Sequence, residues 1–325
     1  MIWRKSRAVM FVSIILSAPL LVLGFYQSQT DRETPAQELQ RKTDSRGLAI
    51  ASVRSWRILI VPFGSKSINR RSRHDNDPGF FSSDGRYIVW WTPPGGLTLE
   101  SISGVLQGRL NGSFVVSHVA LAPDRNQVLI EGLNRERPRT LGIHVGRFDT
   151  QAIRLLIPLE AVPGTFADNT FTSLGWSPDS KRIVFDLRGT ITTADVQTGA
   201  TVNLASGTRP TWSPNGDWIA YVTSKDEARL IRPDGTGDHG ILHGRKVLGT
   251  LHWSPDSDYV MFEERYLPNM FEWWIRPAGS SARLVVCRVR DETTIPVYWS
   301  GGHGGSDAYF GWIYDYQHFG LSDTQ

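Results

Sequence analysis

His239 and His243 lie four residues apart in DHGILHG, the spacing of a metal-binding pair on one face of a helix. Gly240 and the strand-like residues around it argue against a helix, so the pair is not assigned as ligands. Asp75, Asn76 and Asp77 resemble part of a calcium loop, but no Glu stands at the right distance to complete it. The surrounding loop, Asn69–Gly79, gathers Arg70, Arg71, Arg73, His74, Asp75 and Asp77. Mixed charge of this kind reads as a solvated loop, yet it is also the best loop-based candidate for an anion or partner contact. The C-terminal run SGGHGGSDAYFGWIYDYQHFG sets glycines beside Tyr309, Phe310, Trp312, Tyr314 and Tyr316. That run reads as a closing strand with ordinary packing, or as the lining of a ligand or partner surface. Cys287 is the single cysteine, so neither an intrachain disulfide nor a Cys-based metal site can form. In RLVVCRVR it reads as a small buried hydrophobe. There is no G-x-S-x-G nucleophile elbow, phosphate loop or dinucleotide fingerprint. No catalytic, metal or cofactor residue is assigned, no cofactor is expected, and the binding residues stay unknown.

Charge narrows the classes further. The formal net charge of +3 lies wholly in residues 1–46, where seven Lys/Arg face four Asp/Glu; the rest of the chain balances 28 of each sign. A neutral folded part gives no footing for nucleic-acid binding.

The N-terminus reads as an address. Arg4, Lys5 and Arg7 precede an uncharged run, Ala8–Tyr26, which as a helix would span about 28 Å, close to a bilayer core. The run is longer than a signal peptide's apolar region and no A-x-A-like site follows it, so residues 1–26 are expected to be an uncleaved anchor. A cleaved signal, and hence a secreted protein, is the alternative. The basic flank stays cytoplasmic, which puts the rest of the chain on the extracytoplasmic side. Residues 27–46 read as a polar linker with almost no large apolar residue.

Internal self-similarity dominates what remains. An aromatic or apolar lead, a small residue, Pro or Ser, Asp or Asn and a turn residue precede an alternating strand, as in FFSSDGRYIVWW, ALAPDRNQVLIEG, GWSPDSKRIVFD, TWSPNGDWIAYV and HWSPDSDYVMFE. A decayed copy, YWSGGHGG, begins at Tyr298. The leads Phe81, Leu121, Trp176, Trp212, Trp253 and Trp299 are spaced by 40, 55, 36, 41 and 46 residues. A period near 40 to 45 with alternation inside each unit indicates propeller blades of four strands. Pro presets one turn dihedral, and Asp or Asn bonds the backbone two residues on. Asp84, Asp124, Asp179, Asn215 and Asp256 are therefore read as turn residues, and the leading tryptophans as wedges between blades.

These repeats resemble the TolB-type, WD40-like (PD40) propeller repeat, with close copies from Trp176, Trp212 and Trp253. The likeness covers roughly Gly47 to the C-terminus. The α/β domain that TolB carries before its propeller, and the C-terminal hydrolase domain of prolyl-oligopeptidase relatives, are not expected in this sequence. Residues 47–325 are expected to form an all-β, six-bladed propeller, with seven blades as the alternative. Only 26 residues follow Trp299, while Ala49–Gly64 is strand-like with no blade of its own, so the N-terminal strands are expected to close the last blade.

The preferred functional reading is a non-enzymatic, membrane-tethered binding scaffold. The resemblance implies envelope proteins or peptides as partners. One alternative is a propeller enzyme, a hydrolase or lyase acting on a glycan or peptide in the central channel. Another is a ligand-sensing ectodomain that signals through a membrane partner.

Overall fold

A computed structural model describes residues 47–52, 57–62, 68–71, 79–91, 95–101, 104–136, 138–159, 173–265, 282–300 and 308–313. The expected anchor (1–26) and linker (27–46) lie outside them. Among the described residues no helix is long and apolar enough to cross a membrane.

The described chain is an all-β propeller. Five blades are four-stranded antiparallel sheets of consecutive strands. After β1 (Gly47–Ser52), β2 (Arg57–Pro62) and β3 (Ile68–Arg71), the first blade comprises β4 (Gly79–Phe81), β5 (Tyr87–Trp91), β6 (Leu97–Ser101) and β7 (Leu106–Leu110). The second comprises β8 (Phe114–Leu121), β9 (Gln127–Asn134), β10 (Thr140–Arg147) and β11 (Ile153–Pro158). The third comprises β12 (Leu174–Trp176), β13 (Arg182–Leu187), β14 (Thr190–Asp195) and β15 (Thr201–Ser206). The fourth comprises β16 (Thr208–Trp212), β17 (Ile219–Val222), β18 (Ala228–Ile231) and β19 (His239–Gly240). The fifth comprises β20 (Val247–Trp253), β21 (Tyr259–Arg265), β22 (Ala282–Arg288) and β23 (Thr294–Ser300). Contacts between successive blades run through their first strands, β4 to β8, β8 to β12, β12 to β16 and β16 to β20, which are therefore the inner ones.

The expected count of six or seven blades is corrected by the place of Trp299. Phe81, Leu121, Trp176, Trp212 and Trp253 each end an inner strand. Trp299 instead lies in β23, the outermost strand of the fifth blade, in register with Arg283. The copy from Tyr298 lacks the Pro and Asp that reverse the chain, so the ladder runs on through it. A composite four-stranded sheet, ordered β24-β1-β2-β3, joins the two ends of the chain. Its β24 (Ala308–Ile313) pairs with β1 from Ala308 opposite Ser52 to Ile313 opposite Gly47, and it touches β4 of the first blade.

The repeat's polar residues build one turn many times. The Ser177 hydroxyl donates to the Asp179 carboxylate at 2.6 Å and accepts the Arg182 N–H at 2.8 Å. Asp179 in turn accepts the Lys181 N–H at 3.1 Å, and the bond from Ser177 holds its carboxyl below the usual range. Ser213 with Asn215 and Ser254 with Asp256 repeat the arrangement. The second blade has Ala122 in place of the serine, and Asp124 takes over by accepting the Gln127 N–H at 3.0 Å.

The residue after the turn Asp or Asn has a positive φ in every blade: Gly85, Arg125, Ser180, Gly216 and Ser257. Glycine adopts this conformation freely and other residues do so at a cost. The three exceptions each reach back to the preceding blade. Ser180 Oγ accepts the Asp124 N–H at 3.2 Å, Ser257 Oγ accepts the Asn215 N–H at 3.0 Å, and the Arg125 guanidinium lies 4.9 Å over the Tyr87 ring.

The leading tryptophans fill the seams between blades. Trp176 packs with Leu129, Ile143 and Leu156 of the second blade, and its indole N–H donates to the Ala120 carbonyl at 2.9 Å. Trp253 packs with Val222 and Leu230 of the fourth blade and donates to the Thr211 carbonyl at 3.3 Å. Truncating such a residue removes apolar burial and leaves a cavity. Trp176→Ala is expected to lower unfolding free energy in urea by about 3–5 kcal/mol. Leu106→Ala, at an exposed strand position, should stay within about 0.5 kcal/mol. Comparable losses at the two sites would contradict the wedge role.

Candidate functional site: the central channel

The five inner strands and the turns that follow them enclose a cavity of about 430 Å³. Its size falls in the range of roughly 300–1,000 Å³ common for ligand sites. Phe81, Tyr87, Trp176, Trp212 and Trp253 supply aromatic wall, and Pro123, Pro178, Pro214 and Pro255 bring the turns of four blades to it. The residues that define the repeat thus also shape the cavity.

Ionisable groups enter this wall through irregular strand geometry. The register of β8 shifts between Val116 and His118, and that of β20 between Leu248 and His252. Bulges re-aim side chains, and both His118 and His252 line the cavity. Gly249, inside the β20 irregularity, has φ 99°.

A second pattern lies on the neighbouring strands. Seven residues after the turn Asp, three blades carry an acid: Glu131, Asp186 and Glu263. The equivalent residues in the first and fourth blades are Trp91 and Val222. Burying a carboxylate is costly unless it is paired. Glu131, 2% exposed, meets His118 Nδ1 at 2.6 Å. Asp186, equally buried, accepts the Arg209 N–H of the next blade at 3.4 Å. Glu263 is 8% exposed and faces the cavity, and its carboxylate makes no hydrogen bond or ion pair among the described residues. Its neighbour Glu264 is held by Arg245 at 2.6 Å, and Arg245 also donates to Thr294.

The surroundings keep both groups of the fifth blade close to their neutral forms. Burial pushes the Glu263 carboxyl up to about 7 and the His252 imidazole down to about 4. Glu263 is thus poised to exchange a proton near neutrality, as a general acid or base would. A His–Glu pair and a poised carboxyl in one concave site are the kind of groups that bind polar ligands or move protons.

The residues singled out in the sequence fall elsewhere. His239 lies in outermost strand β19, edge-on to Trp218 at 5.1 Å, with its Nδ1 2.8 Å from the Gly237 carbonyl. His243 lies 3.6 Å from Glu292, so the two histidines have separate partners. Among the described residues no group of three or more His, Cys, Asp or Glu could hold a metal. Cys287 is buried, and burial pushes its thiol up to about 12. Arg70 and Arg71 belong to β3, and Tyr309, Phe310 and Trp312 to β24. Arg73, His74, Asp75, Asn76, Asp77, Tyr314 and Tyr316 lie outside the described residues. Sequence reasoning missed His118, Glu131, His252 and Glu263. The available signal was an acid recurring at one position of otherwise apolar strands, as in VLIEG, IVFDL and VMFEE.

No protein family and no curated protein matches this sequence. Solved structures do match. A protein described as a TolB of Agrobacterium tumefaciens is 18% identical with a TM-score of 0.50, over 82% of this chain and 98% of that one. TolB of Acinetobacter baumannii is 15% identical with a TM-score of 0.57, over 86% of this chain and 70% of that one. The chain shares the β-propeller fold of these two structures.

The two shifted groups pull stability in opposite directions. Folded, Glu263 keeps its proton up to about pH 7; unfolded, it loses it near its ordinary 4.5. Stability therefore falls by about 3 kcal/mol as pH rises through that window. His252 takes a proton near 6.5 when unfolded but only near 4 when folded, so its contribution is lost as pH falls from 6.5 to 4. Glu263→Gln should unfold like the wild type near pH 4.5 and be about 3 kcal/mol more stable above pH 7. Urea denaturation across that range checks this, and a difference independent of pH would contradict the assignment.

Proposed function

We propose that this protein is a non-enzymatic extracytoplasmic binding scaffold whose propeller channel receives a segment of a protein or peptide partner. The observation that carries the reading is the 430 Å³ cavity, which combines an aromatic wall with a few buried polar groups. Likeness to TolB structures supports partners and location in the cell envelope. In this reading residues 1–26 tether residues 47–325 to the cytoplasmic membrane through the linker 27–46. In the same reading the N-terminal strands, paired with β24, close the ring between the two ends of the chain, so that no sheet edge is left open. The balanced charge of residues 47–325 supports a partner other than nucleic acid.

A second reading is favoured by one specific contact. His118 and Glu131, at 2.6 Å, form the imidazole–carboxylate pair of a general base, which suits an enzyme acting on a glycan or peptide in the channel.

The scaffold reading is tested by capture from native membranes with the full chain and with Thr250→Trp, whose side chain would fill the cavity. A protein partner held by the wild type should be lost from the variant while the urea midpoint changes little. Equal capture by both would move docking to an outer face and sink the channel reading.

A further inference from the structure

We propose that the channel carries a subsite for a primary ammonium group, a lysine side chain or peptide amino terminus of the ligand, with Glu263 as its counter-ion. The inference rests on the channel being the binding site and adds the chemistry of what enters it.

Glu263 follows the core stretch of β21, in which Tyr259, Val260, Met261 and Phe262 are all at most 4% exposed. An unpaired carboxylate at such depth is destabilising, and no hydrogen bond or ion pair among the described residues offsets it. The charged and titratable groups around the cavity are engaged elsewhere. Glu131 holds His118, and Arg245 holds Glu264 on the neighbouring position of the same strand. Asp84 accepts the Ser82 hydroxyl and the Arg86 N–H within its own turn. The Arg125 guanidinium lies over Tyr87, and Arg209 donates to the Gly249 carbonyl at 3.4 Å. Burial keeps His252 neutral at pH 7. Among the described residues lining the cavity, Glu263 is thus a buried acceptor without a donor.

The chemistry of the wall selects the donor. An anion would face the carboxylate at short range in a low dielectric, which is unfavourable. A metal ion would need more donors than this wall clusters, since no group of three is present among the described residues. A primary ammonium brings one compact charge and three N–H donors on an apolar arm. Trp176, Trp212 and Trp253 line the same cavity, where aromatic rings favour a nearby cation and their apolar area can cover the arm. Binding would draw Glu263 into its ionised form, so a proton leaves the carboxyl as the ammonium enters.

Isothermal titration of the full chain with two matched probes tests this. N-acetyl-lysine amide and N-acetyl-norleucine amide differ only in the terminal ammonium. The lysine probe should bind the wild type about tenfold or more tightly than the norleucine probe, as for a charge-assisted hydrogen bond. Glu263→Gln should erase that preference. If the variant folds poorly, the wild type alone decides. Its affinity for the lysine probe should rise from pH 6 to pH 8 while that for the norleucine probe stays flat. Equal binding of both probes, or a preference that survives Glu263→Gln, overturns the ammonium subsite. Where Thr250→Trp still abolishes partner capture, the channel reading stands. Failure of the lysine probe to bind the wild type also overturns the subsite, and partner capture that is unaffected by Thr250→Trp removes the channel reading with it.

Discussion

A four-stranded sheet that is apolar on both faces cannot stand alone in water, and every blade of this protein is such a sheet. In β13, Ile183 and Phe185 face the second blade while Val184 faces the fourth, and all three are at most 1% exposed. Each blade is completed only by its neighbours on both sides. The seams carry the stability: Trp176 and Trp253 enter them, and their indole N–H groups bond to the inner strand of the preceding blade. The unfavourable left-handed positions of Ser180 and Ser257 belong to the same constraint. Each gives up a relaxed backbone to accept an N–H across a seam.

Function follows from the same packing. Bringing the inner strands together leaves a channel at their ends, and the turns that reverse the chain become its walls. The wedge residues Trp176, Trp212 and Trp253 belong to the packed seams and also line the cavity. Of the carboxylates at one repeated strand position, Glu263 lines the channel. Glu131 and Asp186 find partners in the protein, whereas Glu263 faces the open space. The blades are alike in outline, and the variation at this one position makes the channel chemically asymmetric.

Much of the architecture was legible in the sequence. The Ser-Pro-Asp turns, five of the lead residues and the inter-blade tryptophans could be read from spacing and turn chemistry, because a repeat displays its own constraints. Trp299 misled because Tyr-Trp-Ser alone looks like a lead; without the Pro-Asp that follows in true copies, the strand continues into β23. The site was not legible in the same way. His118, Glu131, His252 and Glu263 come from strands spread over two non-adjacent blades, and the bulges that aim the histidines leave no mark in composition. The pairs that looked chemical in the sequence, such as His239 and His243, lie on an outer strand and the turn after it because closeness along a strand is not convergence in space.

Glu263 is a carboxyl held against the channel with no hydrogen-bond or ion-pair partner among the described residues. Site-resolved ¹³C NMR of the Glu263 side-chain carboxyl, titrated in the ligand-free protein and assigned with Glu263→Gln, tests this directly. The account predicts a protonation midpoint near 7, well above the ordinary 4.5. A midpoint at or below the ordinary value would mean that water or a cationic partner already satisfies the group, and would contradict the account.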